Sequence, residues 1–196
     1  MSIKPIVASV WQMIEPHAEK ISIAGSLRRG KQKVKDVELV VIPDDNLLHM
    51  MNIWAKKGTI QKAPYGKNGT HRWGSKYRGF IHQGVRFEMF TATPDTWGYI
   101  LWLRTGPADA GHYVMGHMKR YNAPYRFDNG ACWLSEKATQ QVSVPEEATL
   151  FELLGINEWV SPQNRTVQLY KDKMYRRGWV AKEALTLVPD PQLRLF

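Results

Sequence analysis

Residues 25–42 read GSLRRGKQKVKDVELVVI. A glycine–serine turn leads into a basic segment, and Asp36 and Glu38 then interrupt a run that is otherwise apolar. Val37, Leu39, Val40, Val41 and Ile42 have the branched, aliphatic character of a buried strand, which places a strand over residues 35–43. Residues i and i+2 of a strand point to the same face. Asp36 and Glu38 therefore project side by side, while Val37 and Leu39 face a core.

Two adjacent carboxylates repel each other and raise each other's pKa unless cations compensate. Magnesium suits this role, because it takes hard oxygen ligands and works through a few carboxylates plus substrate phosphates. A pair of such ions, about 3.5–4 Å apart, needs a third carboxylate from a neighbouring strand. Glu88, in VRFEMF, is the candidate: it sits in an apolar strand and is the only acid between Asp45 and Asp95. Upstream, the Gly25-Ser26 turn offers backbone N–H groups and a hydroxyl to a phosphate, with Arg28 and Arg29 close by.

The whole chain agrees with an anionic partner. It has 196 residues and a net charge of +9, and the charge is clustered. Lys56, Lys57, Lys62, Lys67, Arg72, Lys76, Arg78 and Arg86 all fall in the acid-free gap before Glu88. A second basic and aromatic stretch, YKDKMYRRGWVAK, contains Arg176 and Arg177. Cations alternating with Tyr65, Trp73, Tyr77, Tyr175 and Trp179 fit phosphates and stacked bases. A single cysteine, Cys132, excludes an intramolecular disulfide framework and a multi-cysteine zinc site. With no apolar run near 18 residues and no secretory signal layout, a cytoplasmic location and no membrane partner are expected.

Helical periodicity appears over 5–19, 46–57, 95–103, 108–121 and 146–154, the last stopped by Gly155. FIHQGVRFEMFTA reads as a hairpin turning at Gln83-Gly84, and residues 125–134 as a second hairpin over Asp128-Asn129-Gly130. Residues 58–79 read as a glycine-rich loop. Mixed helices and hairpins give an α+β fold class rather than a doubly wound sheet.

The motif GSLRRGKQKVKDVELVV resembles the nucleotidyltransferase signature of the X family of DNA polymerases, the polymerase beta group: Gly-Ser, an Arg-Arg-Gly run, a short spacer, then acid-apolar-acid. RFEMF resembles the family's Arg-apolar-Asp strand, LRTGP its Tyr-Phe-Thr-Gly-Ser turn, and VPEEATLFELLGINEWVSPQNR its closing helix and exit. The similarity spans about residues 20–165.

The resemblance implies a nucleotidyltransferase palm over 1–98, with a mixed or antiparallel sheet and flanking helices. A small C-terminal α/β, thumb-like subdomain would follow over 99–165, and a basic extension over 166–196. It further implies that Asp36 and Glu38 bridge two Mg²⁺ ions (Mn²⁺ substituting), with Glu88 completing the catalytic ion's shell. Glu88 would also sit nearest the attacking 3′-hydroxyl, with Arg86 orienting the acids. Gly25, Ser26 and Arg29 would hold the triphosphate, and Lys35, where the family has a glycine, would contact phosphate. Leu103, Arg104, Thr105 and Gly106 occupy the sugar-gating turn, where Leu103 and Arg104 replace Tyr and Phe. Lys67, Arg72, Lys76, Arg78, Arg176 and Arg177 are the candidate DNA-binding cations. The family's N-terminal lyase lobe has no counterpart ahead of the first strand, so a minimal, monomeric enzyme without lyase activity is expected.

The chain ends QLRLF. Gln192, Leu193, Leu195 and Phe196 resemble the bacterial sliding-clamp-binding peptide, a mode in which an extended segment fills an apolar pocket. A bacterial or phage-infected host follows. The leading expectation is magnesium-dependent transfer from a (deoxy)nucleoside triphosphate to a 3′-hydroxyl, as in DNA repair or gap filling. The alternatives are a template-independent or RNA-directed nucleotidyltransferase of the same fold, or a non-catalytic clamp-binding DNA module.

Overall fold

The computed structural model describes residues 3–66, 69–136, 139–174 and 179–188. The chain divides between Ala92 and Thr93 into two units. That boundary lies ahead of position 98, and the described residues of the segments expected as 99–165 and 166–196 belong to one unit.

In the first unit, α1 (Lys4–Ile14) carries a proline in its first turn and buries Ile6, Val7, Val10 and Ile14 along one face. It leads to β1 (Ala18–Ile23), the single turn α2 (Gly25–Arg28) and β2 (Val37–Pro43). β2 starts later than position 35, so Asp36 lies in a bend just ahead of the ladder. α3 (Leu47–Lys56) begins where the Asp44 carboxylate accepts the backbone N–H groups of Asn46 (2.9 Å) and Leu47 (2.7 Å). The stretch 58–79 holds more structure than a loop: β3 (Gln61–Lys62), β4 (Pro64–Tyr65), β5 (Thr70–His71) and the start of β6 (Tyr77–His82). β7 (Val85–Thr91) follows a turn in which Gln83 (φ 47°) and Gly84 (φ 77°) are both left-handed, as a two-residue hairpin turn requires.

Five of these strands form one sheet in the order β1-β2-β7-β6-β3. β2 and β7 run parallel and the other neighbours antiparallel, so the sheet is mixed. Val37, Leu39, Val41, Phe80, Phe87 and Met89 face a core completed by the buried residues of α1 and α3. Strand alternation puts Glu38, Glu88, Arg86 and Tyr77 on the opposite face.

The second unit is built around α4 (Trp97–Thr105), which is buried on nearly every side. Its Gly98 donates its N–H to the Val144 carbonyl at 2.8 Å. A Cβ there would lie 2.2 Å from the backbone of Glu146, so only glycine permits this approach. α5 (Ala108–Arg120) precedes β8 (Tyr125–Asp128) and β9 (Ala131–Leu134), joined by a left-handed Asn129-Gly130 pair. With β10 (Gln141–Val142) they form a three-stranded sheet. α6 (Glu147–Leu153) is stopped at Gly155, whose φ is 71°.

Residues beyond 165 continue this unit. α7 (Val167–Met174) buries Tyr170 and Met174. The Trp102 indole donates to the Tyr170 hydroxyl at 2.8 Å, both groups buried. Residues 186–188 run beside β10: Thr186 accepts from Ser143 N–H at 2.7 Å and Val188 donates to Gln141 at 2.9 Å. Arg165, fully buried, pairs with Glu147 at 2.7 Å and donates through Nε to the Val160 carbonyl at 3.0 Å. Cys132 is buried, which pushes its thiol up to about 12. Among the described residues, no helix is long and apolar enough to cross a membrane.

Candidate active site

The open face of the first unit's sheet brings the strand acids together by register. Glu38 of β2 and Glu88 of β7 are direct partners in the parallel pair. Both side chains are half-buried, and neighbouring strands lie about 4.8 Å apart, so the carboxylates leave the sheet side by side. Asp36 is two residues upstream of Glu38, half-buried in its bend. Among the described residues, no three His, Cys, Asp or Glu side chains are gathered as a metal-holding set.

The glycine–serine turn sits on Glu38. Ala24 extends the β1–β2 ladder by donating its N–H to the Glu38 carbonyl at 2.8 Å, and the chain then turns at Gly25 with φ 63°. A Cβ at Gly25 would fall 1.8 Å from Oε2 of Glu38 and 2.8 Å from its Cδ. The glycine thus serves two needs, a left-handed bend and room for a carboxylate. Ser26 and Arg28 follow in α2 and Arg29 caps its C-terminal end, all half-exposed, and Lys35 is exposed.

Gly25→Ala tests this contact. The obstructing atoms belong to the far end of a side chain rather than to backbone, so the fold should lose only about 1–2 kcal/mol, the cost of a left-handed non-glycine residue. Glu38 would be pushed aside, and a misplacement near 1 Å costs on the order of 10²-fold in rate. Thermal melting checks the first number and, if the expected nucleotidyl transfer is the chain's reaction, primer extension checks the second. Unchanged extension would remove Glu38 from the chemistry.

Glu88 is held from its own strand. Arg86 donates to Glu88 Oε1 through Nε (3.3 Å) and a terminal nitrogen (3.2 Å), and its other terminal nitrogen donates to the Pro64 carbonyl at 3.1 Å. Arg86 therefore touches both the acid and the β4–β5 hairpin. Despite partial desolvation, its pKa is raised by Glu88 and Tyr77.

The cations expected on a DNA-facing surface divide. Arg72 is exposed, its guanidinium 3.5 Å from the centre of the Tyr65 ring, and Lys76 is exposed. Arg78 departs from that expectation, being only 6% exposed. Its side chain donates to Gly74 O (3.1 Å), Leu48 O (2.6 Å) and Asn52 Oδ1 (3.1 Å), and it lies 4.8 Å from the Trp73 ring. Trp73 in turn donates to Asn52 Oδ1 at 2.7 Å. Arg78 is therefore a clamp between strand, loop and α3; its position in β6, alternating with apolar residues, was the available signal. Lys67, Arg176, Arg177, Gln192, Leu193, Leu195 and Phe196 lie outside the described residues.

The turn at 103–106 closes α4. Thr105 is fully buried, and Gly106 caps the helix through its N–H to Trp102 O at 2.9 Å. Within the second unit, Leu103, Arg104, Gly106, Gly111, His112 and Tyr170 line a cavity of about 230 Å³.

Comparison with protein-family models and with curated proteins finds no match.

Proposed function

We propose that the chain is a magnesium-dependent nucleotidyltransferase that joins a nucleoside triphosphate to a 3′-hydroxyl, with DNA synthesis in repair or gap filling as its use. The observation that supports this best is the in-register pair Glu38–Glu88, with the Gly25 bend closed directly over Glu38. Acids on the open face of a mixed sheet, beside a turn suited to phosphates, match what phosphoryl transfer needs: positioning and charge neutralisation.

The donor types suit a hard divalent cation, since Asp36, Glu38 and Glu88 offer only carboxylate oxygens. Glu38 and Glu88 are in register, and Asp36, in the bend ahead of β2, is not gathered with them into a three-residue set. These three would hold Mg²⁺, which when bound supplies neutralisation of the triphosphate and acidification of the attacking hydroxyl. The chain's own residues do the rest. Gly25, Ser26 and Arg29 hold the β- and γ-phosphates, with Lys35 near them. Glu88 takes the hydroxyl proton as the 3′-oxygen bonds to the α-phosphorus. The bond from that phosphorus to the bridging oxygen then breaks and pyrophosphate leaves. Arg86 keeps Glu88 oriented throughout. Leu103 and Arg104 leave the sugar-gating turn without an aromatic pair, so both sugar types enter the test.

The experiment is to incubate the full chain with labelled DNA or RNA primers and each NTP or dNTP, with and without template. Mg²⁺-dependent extension of a DNA primer by dNTPs on a template is the expected outcome. Template-free or RNA-restricted tailing would move the activity to another nucleotidyltransferase class. No extension with either Mg²⁺ or Mn²⁺ would leave a non-catalytic DNA module.

The terminal QLRLF would tether the enzyme to a sliding clamp and raise its effective concentration at a primer end. Deleting residues 192–196 should abolish retention on an immobilised clamp and leave extension of short oligonucleotides within about twofold, since no new contact is lost there. Retention that survives the deletion removes the tether.

A further inference from the structure

Glu88 has a second neighbour, Tyr77, which the sequence offers only as an aromatic for stacking on bases. Tyr77 precedes Gly79 by two residues in β6, and Gly79 is the ladder partner of Glu88. A Cβ on Gly79 would lie 3.0 Å from the Tyr77 hydroxyl and 3.6 Å from its Cε1, so the phenol folds over the glycine toward the acid. That puts the hydroxyl on the face of the sheet that carries Glu88 and Arg86, over the residue directly opposite Glu88. Its ring is seated against Phe90, centroids 5.0 Å apart, which fixes where the hydroxyl points. A phenol keeps its proton near neutral pH, so the hydroxyl can donate to a carboxylate.

We infer that Tyr77 is a positioning residue for Glu88: phenol and Arg86 guanidinium together hold a carboxylate whose side chain has one more rotatable bond than aspartate. This deepens, and rests on, the nucleotidyltransferase assignment above. Arg86 alone grips one oxygen from the same strand. A donor from the adjacent strand adds a second direction, and two directions restrain a torsion that one leaves free. Gly79 belongs to the same device, because a Cβ there would press on the phenol and shift it by a few tenths of an ångström.

The test uses the full chain as wild type, Tyr77→Phe, Glu88→Asp and the double variant. Phenylalanine keeps the ring against Phe90, so melting should be unchanged. Tyr77→Phe should lower kcat and, by electron paramagnetic resonance, Mn²⁺ affinity by about tenfold each, the usual cost of removing a partner that orients a ligand. KM for the nucleotide should barely move. In the Glu88→Asp background the same change should cost under about twofold, because the shorter acid has no extra torsion to restrain. Wild-type-like Mn²⁺ affinity and kcat in Tyr77→Phe overturn the inference. So does an equal loss in both backgrounds, which places the phenol's effect elsewhere. A wild-type chain with neither Mn²⁺ binding nor extension overturns the underlying assignment, and the positioning role falls with it.

Discussion

Asp36→Asn should reduce primer extension by about 10³-fold, on the order of 4 kcal/mol of transition-state stabilisation. The amide matches the carboxylate in size, and Asp36 lies in a bend ahead of β2 with no place in the β-ladder. The fold should therefore be spared. No ladder contact is lost, so the variant's stability on melting should lie within about 0.5 kcal/mol of the wild type's. That combination, dead and intact, separates chemistry from folding. Primer extension and thermal melting measure it, and activity retained within about tenfold would take Asp36 out of the reaction.

The second large effect belongs to the other unit. Arg165→Met should destabilise that unit by about 3–5 kcal/mol, because it leaves the Glu147 carboxylate, 5% exposed, without its buried cation. The loss is not only of charge. The guanidinium also packs 5.2 Å from the Phe151 ring and 6.0 Å from that of Trp159, and its Nε ties down Val160. Replacing both partners, as Arg165→Met with Glu147→Leu, should recover most of the loss, since a well-packed apolar pair often equals a buried ion pair. Calorimetric or denaturant unfolding checks both numbers. A cost under about 1 kcal/mol for the single variant would mean that water reaches Glu147.

How far could residues alone reveal this? Elements with a strong local period or a left-handed turn were readable: α3 from its apolar spacing, and the two hairpins from Gln83-Gly84 and Asn129-Gly130. α7 was not, because its buried face is carried by only Tyr170 and Met174. β3 and the β4–β5 hairpin are two-residue strands, too short for any alternation to register. For the candidate site, the acids were visible as charges inside apolar runs. Their pairing was not, since whether Glu38 opposes Glu88 or a neighbour depends on register across a parallel crossover. Tyr77 reads in the sequence only as a stacking aromatic for the same reason: its nearness to Glu88 depends on Gly79 opposing Glu88. Arg78 misled because a cation in a basic stretch looks the same whether it meets solvent or caps carbonyls; only burial separates them.

The parallel contact between β2 and β7 also dictates when during synthesis the acids can meet. Positions 38 and 88 are fifty residues apart, and nothing local draws them together. A nascent chain that has emerged only through β2 displays Val37, Leu39 and Val41 with one central neighbour still unmade, an open invitation to wrong partners. Closure must await the β6–β7 hairpin, so assembly of this face is governed by a long-range encounter of the kind that makes refolding slow.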